Sequence, residues 1–392
     1  MSTIQSITVT AKIKIDPTEE QKQLFMDTMH RYRDACNFVS KYLSKHQDIS
    51  AIKLHKALYY DVRSSFSLPS QMTESVFRTT YAKYKQIKTV EKETAKKKVS
   101  KKSKKAKKKE KLVLVQFKKP YMELVWNRDY SLKKESFSLN TLQGRICVPF
   151  EDKAMEQYFD GTWKFGTVKI LTRHGKWYLY IPMTKGFEVP DNADIQNVVG
   201  IDLGINFLAV SYDSRGKSAF WRGGDIKQKR ATYKHVRQSL QKRGTPSARR
   251  RLKKIGQREN RWMNDVNHCI SKALVEQNPK GTLFVLEDLT GIRNATERVH
   301  RKNRYLSVSW AFYDLRMKIE YKAMLHGDRV IAVDPAYTSQ TCPHCGHVDK
   351  ENRDKKNHIF CCKHCGYRSN DDRIGAMNLH NKGIKYLAVP SE

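Results

Sequence analysis

The sequence predicts an α/β fold in its second half joined to a mixed α+β lobe in its first. Three observations carry this. From residue 198 onward, short apolar stretches ("VVGIDLGI", "GTLFVLED", "DRVIAVDP") alternate with helical ones, the pattern of a sheet with helices packed against it. Between residues 112 and 185, short strand-like runs follow one another without helices. Between the first strand and that region lies a long stretch of helical periodicity.

Taken in order, Ile7, Val9, Ala11, Ile13 and Ile15 alternate with mostly polar residues and read as a half-buried strand. "DPTE" at 16–19 starts a helix, with Asp16 as cap, Pro17 in the first turn and Glu19 three residues on. Leu24, Phe25, Met29, Tyr32, Cys36, Val39 and Leu43 continue it at helical spacing, and helix-compatible sequence extends to about residue 95. Residues 96–111 hold eleven lysines and almost nothing apolar, so they are expected to form a loop that is disordered or ordered only by nucleic acid. Strands are expected in "LVLVQF", "SFSLN", "GTVKIL" and "KWYLYIPM", with "RHGK" as a hairpin turn, and 188–195 as a linker. Residues 198–213 read as strand, Gly turn, strand. Residues 227–261 carry fourteen Lys or Arg and one acid, Glu259, and are expected as two basic helices divided at Gly244 and Pro246. Trp262, Val266, Ile270 and Leu274 give the second of these a burying stripe. Strands at 281–288 and 328–335, an amphipathic helix at 309–327 and a last helix from "RIGAMNLHNKG" complete the order.

Length and charge bound the function. A chain of 392 residues accommodates two or three domains. With 75 Lys+Arg against 40 Asp+Glu, net +35, a compact fold repels itself unless a polyanion neutralises it. The charge comes in blocks, which favours nucleic acid over a merely soluble basic protein. No apolar window is long enough to span a membrane, and "MSTIQSITVTAKIKI" lacks the order of a signal peptide. Five of the eight cysteines fall between 342 and 365, which suits a metal in a reducing cytoplasm better than disulfides.

Acids stand where apolar residues are expected. Asp202 interrupts "GIDLGI", Glu287 and Asp288 end "LFVLED", and Asp371 and Asp372 precede the last helix. A charged acid in a buried strand costs several kcal/mol unpaired, about what a functional reason must offset. Converging from separate elements, such acids hold hard divalent cations that stabilise the attacking and leaving oxygens of phosphodiester cleavage. Singly, each has a plainer reading: Asp202 pairs with a buried Arg, or Glu287 ends a strand. "GIDLG" also opens sugar-kinase and chaperone ATPases, but a second Gly-rich phosphate loop is not visible.

"CPHC" and "CKHC" place Cys342, Cys345, Cys362 and Cys365 as two CxxC pairs sixteen residues apart, the spacing of a structural zinc ribbon. Gly346 and Gly366 follow the pairs and let backbone amides turn toward sulfur. Four thiolates leave no open coordination position, so this zinc is expected to be structural. Cys361 is left over, and His344 and His364 are expected to be neighbours rather than ligands.

These motifs, "GIDLGINFLAV", "LEDLTGI", "TSQTCPHCG" and "FCCKHCGYRSNDDRIGAMNL", closely resemble the transposon-encoded TnpB (OrfB) family, related to type V CRISPR effectors. The resemblance is specific over about 198–383. It implies a RuvC-like, RNase H-fold nuclease domain (196–340 and 367–392) with a zinc-ribbon insertion that contacts the target (341–366). It also implies a β wedge domain (1–15 and 112–190) and a helical recognition domain (16–111). The family's acids fall on Asp202, Glu287 and, in a D-x-N-A/G-A pattern, on Asp372 of "DRIGA", where Ile374 replaces Asn; Asp371 is the second choice. The resemblance implies two catalytic Mg2+ ions, one structural Zn2+, a guide RNA from the transposon end and target double-stranded DNA with a short flanking motif. The setting it implies is the prokaryotic cytoplasm, at the nucleoid when target-bound, with a monomer favoured and no membrane partner. The basic helices are expected to line a guide–target channel, led by Arg249, Arg250, Arg251, Lys253 and Lys254. Alternatives are a small type V CRISPR effector and an RNA-guided DNA-binding regulator without cleavage.

Overall fold

A twelve-residue strand, β1 (Ile4–Ile15), opens the chain and buries Ile7, Ala11, Ile13 and Ile15. The structure, a computed structural model, describes residues 4–46, 48–99, 114–151, 155–173, 175–288 and 312–389, with backbone alone at 92–99. Two compact units are present, one of Thr8–Lys185 and one of Met1–Ile7 with Gly186–Glu392.

In the unit Thr8–Lys185, three helices follow β1: α1 (Glu19–Lys45), α2 (Ala51–Phe66) and α3 (Ser70–Val99). The cap of α1 is Thr18 rather than Asp16. Its hydroxyl accepts from the Gln21 amide while the Gln21 side chain accepts from the Thr18 amide, a reciprocal capping box that Asp16 is two residues too early to make. Helix α3 carries its backbone to Val99, so the first residues of the lysine run are helical; 100–111 lie outside the described residues.

The strands are β2 (Met122–Leu124), β3 (Tyr130–Leu132), β4 (Ser136–Thr141), β5 (Gly144–Glu151), β6 (Lys164–Phe165), β7 (Val168–Arg173) and β8 (Lys176–Glu188). They form one sheet in the order β2-β7-β8-β1-β5-β4-β3, with β6 on β8. The strand expected in "LVLVQF" is not formed over its described part. Side chains of α1 and α3 satisfy that backbone instead: Asn37 exchanges two hydrogen bonds with Phe117 (2.8 and 3.1 Å), and Ser40 donates to the Val115 carbonyl at 2.5 Å. A backbone whose donors and acceptors are taken by side chains has no need of a ladder. Strands β2, β3, β5 and β6 were not foreseen: β2, β3 and β6 are two or three residues long, too short to show a pattern, and Pro149 interrupts the apolar alternation of β5. "RHGK" does turn a hairpin, with Arg173 paired to Lys176 and Gly175 at φ 74°.

In the second unit, β9 (Asn197–Asp202), β10 (Phe207–Asp213) and β11 (Ser218–Arg222) form an antiparallel meander. Helices α4 (Gly224–Arg243), α5 (Pro246–Ile255) and α6 (Arg258–Glu276) lead to β12 (Thr282–Glu287); α7 (Phe312–His326) leads to β13 (Arg329–Val333). The sheet order is β11-β10-β9-β12-β13, with β9, β12 and β13 parallel. The basic region is three helices rather than two. Gly256, at φ 46°, ends α5 and lets α6 restart two residues on.

Strand alternation sends side chains to two faces. Val199, Ile201, Phe284 and Leu286 pack with Ile270 and Leu274 of α6 and Leu315 and Ile319 of α7. Val198, Leu283 and Val285 pack on Leu379 of the last helix, α8 (Asp371–Ala388). Between β13 and α8 lies a small sheet of β14 (Arg353–Asp354), β15 (Ile359–Cys361) and β16 (Arg368–Asn370). Its core of Cys342, Phe360 and Cys362 closes on Ile374 of α8. Among the described residues no helix is long and apolar enough to cross a membrane.

Candidate active site

Asp202 and Glu287 end neighbouring parallel strands. Ile201 of β9 is level with Leu286 of β12, so the next residue on each strand is an acid, and both stand at the carboxyl end of the sheet. That edge is where open α/β sheets place their ligands.

The third acid arrives on α8, which approaches β9 unusually closely. A Cβ at Gly375 would sit 2.9 Å from Asp202 Oδ2, and one at Gly383 would sit 2.6 and 2.7 Å from Val285 and Val198 methyls. A Cβ at Gly200 of β9 would overlap the Ala376 carbonyl and the His380 amide. Glycine at these positions lets the helix lie on the strand, with its first turn beside Asp202. Asn370 caps that turn, its Oδ1 accepting from the Asp372 and Arg373 amides at 3.1 and 3.2 Å.

The electrostatics show which acids share the site. Burial, then Glu287, then Asp372 push the Asp202 carboxyl well above the usual range, with Arg353 opposing and Asp371 last. Burial raises Asp372, with Asp371 adding to it and Arg353, His358 and Lys227 opposing. Burial also raises Glu287, against a hydrogen bond from Thr338 and the charges of Lys382 and Arg353. Asp202 thus resists ionisation beside Glu287 and Asp372, and three partly buried carboxyls of this kind are a donor set that a hard divalent cation fits.

Asp371 and Asp372 are placed differently. Asp371 is 1% exposed and accepts from Arg353 Nε at 2.8 Å, so it faces the small sheet. Its Oδ1 is buried without a hydrogen bond, 3.4 Å from His358 Nδ1. Asp372 is 8% exposed, lies 3.5 Å from Arg353 Nη2, and is the larger influence on Asp202. One ligand atom each from His358, Asp371 and Asp372 lie within 4.8 Å of one another. Ile374 stands where the resemblance expects Asn. It is fully buried among Cys342, Phe360 and Cys362, so its side chain serves packing. Asp288 is exposed and pairs with Arg316 at 3.2 Å.

Several residues at the site carried no sequence signal. Thr338 donates to Glu287 Oε1 at 2.5 Å, and Asn378 of α8 donates to the Thr338 and Thr341 carbonyls at 2.7 and 2.8 Å. Helix α8 therefore fixes the loop that orients Glu287. Arg353 and His358 come from the small sheet. His358 has φ 56°, a conformation rare outside glycine, and its Nε2 meets Asn206 Nδ2 at 2.7 Å. Asn206 also accepts from Lys227. Only spatial proximity unites these residues.

The four predicted cysteines do come together. Cys342 and Cys365 sulfurs are 3.6 Å apart, as are those of Cys345 and Cys362. A tetrahedral zinc site with Zn–S near 2.3 Å has edges of about 3.8 Å, and a disulfide needs about 2 Å, so the set fits a zinc ribbon. Burial opposes ionisation of Cys362, but the amides of Cys365 and His364 with the neighbouring thiols lower it to about 6. Gly346 and Gly366 turn at φ 76° and 73°. His344 stacks on Tyr367 at 5.9 Å and His364 on His347 at 5.6 Å; Cys361 is exposed.

Arg249, Arg250, Arg251, Lys253 and Lys254 are all exposed on α5. Arg250, Arg251 and Lys254 face a groove shared with α4; Arg249 and Lys253 do not.

A family model described as a probable transposase (OrfB_IS605) matches residues 179–298, and a Cas12f1-like TNB domain matches 312–379. A CRISPR-associated endodeoxyribonuclease Cas12f1 of Syntrophomonas palmitatica is 26% identical over 388 residues, covering 90% of this chain and 74% of that protein. A TnpB-like protein of Methanocaldococcus jannaschii is 29% identical over 245 residues, 60% of this chain and 84% of its own. Among solved structures, a Cas12f1–sgRNA–target DNA complex shares the fold, with a TM-score of 0.60 and 15% identity over 93% of this chain and 84% of that one.

Proposed function

Since this chain is a relative of the TnpB (OrfB) family, we propose that it is an RNA-guided DNA endonuclease that cuts target DNA beside a short flanking motif. The observation that carries the reading is the meeting of Asp202, Glu287 and Asp372 from three separate elements, in a chain of net charge +35. An acidic pocket on a polycation has no use for phosphates unless cations stand between them.

Asp202, Glu287 and Asp372 would hold magnesium, as two ions, in a RuvC-like domain of RNase H fold. When bound, the ions supply an activated water and neutralise the leaving 3′ oxygen of an in-line hydrolysis. The chain's own residues set the geometry. Thr338 fixes the Glu287 carboxylate, Gly375 leaves room for Asp202, and Asn370 holds the turn that presents Asp372. Arg353 holds Asp371 against the small sheet and so orients the acid next to it. Cys342, Cys345, Cys362 and Cys365 would hold one structural zinc, which ties that sheet together. A guide RNA from the transposon end, paired with one strand of duplex DNA, would lie along the basic helices, with a single chain as the working unit. A close variant of this reading is a small type V CRISPR effector like the Cas12f1 relative, which a neighbouring repeat array rather than transposon ends would identify.

The test is programmed cleavage of a plasmid by purified protein with its co-purified RNA. Asp202→Ala, Glu287→Ala and Asp372→Ala should each abolish cutting while RNA and target binding persist. Undiminished cutting in all three would show that the catalytic site is elsewhere. Binding without cutting by the unmutated chain would make it a regulator.

A further inference from the structure

The groove between α4 and α5 has two unlike walls. On α4, Lys229, Thr232, Tyr233 and Val236 share one helix face. On α5, Arg250, Arg251, Lys254 and Ile255 share another, and Arg258 at the start of α6 closes the end. The space between them is about 830 Å³, the size of a pocket that encloses a small ligand. Among the described residues no acidic side chain lines it. A surface that only tracks a phosphate backbone needs cations in a row and no apolar floor. Here cations stand opposite a tyrosine, and the half-buried Val236 and Ile255 line the same groove. A wall of three cations facing a wall that adds an aromatic ring to its one lysine matches the two halves of a nucleotide, its phosphate and its base.

We propose that this groove takes one unpaired nucleotide of a single-stranded nucleic acid. The base lies against Tyr233, and the phosphates meet Arg250, Arg251 and Lys254. The inference rests on the nucleic-acid-binding part of the reading above and not on cleavage. It also gives separate roles to cations that sequence alone groups together: Arg249 and Lys253 serve the outer backbone only.

The test uses the full chain, freed of RNA at high salt, and short single-stranded RNA, single-stranded DNA and duplex of one sequence, read by fluorescence anisotropy. Tyr233→Ala should weaken single-strand binding by roughly five- to a hundredfold, the effect of removing one stacking platform. It should leave duplex affinity and the salt slope unchanged, because no cation is removed. Tyr233→Phe should bind as the parent does. Loss on RNA, on DNA or on both identifies the source of the nucleotide. In a chain that melts normally, unchanged single-strand affinity, or an equal loss on duplex, overturns the inference and leaves a cationic track. A second readout protects against a variant that fails to fold: iodouridine-containing RNA and its DNA counterpart are photocrosslinked to the unmutated chain. Crosslinks that map to Tyr233 support the pocket, and crosslinks that avoid α4 and α5 with both strands overturn it. Failure of the nuclease reading would appear as lost cleavage with these binding results intact.

Discussion

Replacing Gly200 with Ala tests whether the approach of α8 to β9 builds the site. The new methyl would overlap two backbone groups of α8, the Ala376 carbonyl and the His380 amide, and lie 3.1 Å from His380 Cα. Backbone cannot rotate away as a side chain does. To restore ordinary contact near 3.4 Å, the helix must retreat by about 1 Å. Asp372 lies one turn from Ala376 on the same helix, so it retreats too. A displacement of about 1 Å at reacting groups costs on the order of a hundredfold in rate, and overpacking of this kind costs about 1–3 kcal/mol of stability. Gly383→Ala is the comparison. Its methyl meets the side-chain methyls of Val285 and Val198, at 2.6 and 2.7 Å, a milder overlap than with backbone and three turns from Asp372. Single-turnover cleavage of a guide-matched duplex and thermal melting read the two effects. Gly200→Ala should lose far more rate than Gly383→Ala. Gly200→Ala cutting and melting like the parent would refute the account of how Asp372 reaches Asp202.

Asp371 and Asp372 separate by phenotype. Asp371→Asn should cost about 1–3 kcal/mol in denaturant unfolding, since it weakens a buried carboxylate's pair with a partly exposed Arg353, whereas Asp372→Asn should abolish cutting at nearly unchanged stability. The reverse pattern would exchange their roles. The pH dependence has a definite sign: a carboxyl raised in the folded state binds its proton more tightly than in the unfolded chain, so its stabilising contribution is full below the ordinary carboxylate range and is lost as pH rises through the raised value. Asp202→Asn should therefore raise the Tm of the chain in EDTA increasingly from pH 4.5 to 7.5, and magnesium should raise the parent's Tm more at pH 7.5 than at 4.5. A pH-independent difference would mean Asp202 is not ionised against Glu287 and Asp372. Elemental analysis should find one zinc per chain, lost together with several degrees of Tm in Cys342→Ser, and a zinc-free chain of unchanged Tm would remove the ribbon's metal.

What was legible in the sequence is what a local rule governs. Alternation marked β1, the apolar runs marked β9, β12 and β13, and the CxxC spacing marked four sulfurs that the fold brings together. Failures came where a distant partner overruled local preference. "LVLVQF" has strand propensity, but Asn37 and Ser40, more than seventy residues away in sequence, take its backbone groups. Thr338 and Asn378 are ordinary residues by type, and their positions follow only from where α8 crosses the sheet. Arg353 sits in a run of mixed charges and gains meaning only by facing Asp371. Asp202 and Glu287 were visible because a charge in or ending an apolar run is costly, and Asp372 through the family pattern in "DRIGA"; residues that assist a charge carry no such mark.

The adjacency of the cysteine cluster and the last acids has a physical basis in α8. Along that helix, Asp372, Gly375, Asn378 and Lys382 recur at near-helical spacing. Asp372 and Gly375 bear on Asp202, Asn378 holds the loop carrying Thr338, and Lys382 donates to the backbone carbonyls of Asp334 and Ala336. One rigid helix thus sets the distances among acids that come from three parts of the chain. Such a helix needs its first turn fixed, since a frayed turn would release Asp372. The small sheet fixes it in three ways. Its core closes over Ile374, Arg353 holds Asp371, and the His358 carbonyl accepts from the Asp371 amide and the Asn370 side chain, each at 3.3 Å. Every one of these contacts lies within four residues of Asp372. A metal held by the four cysteines would therefore stiffen the one helical turn that carries Asp372, and its loss should reach the acids through Arg353 and Ile374 before it reaches the five-stranded sheet.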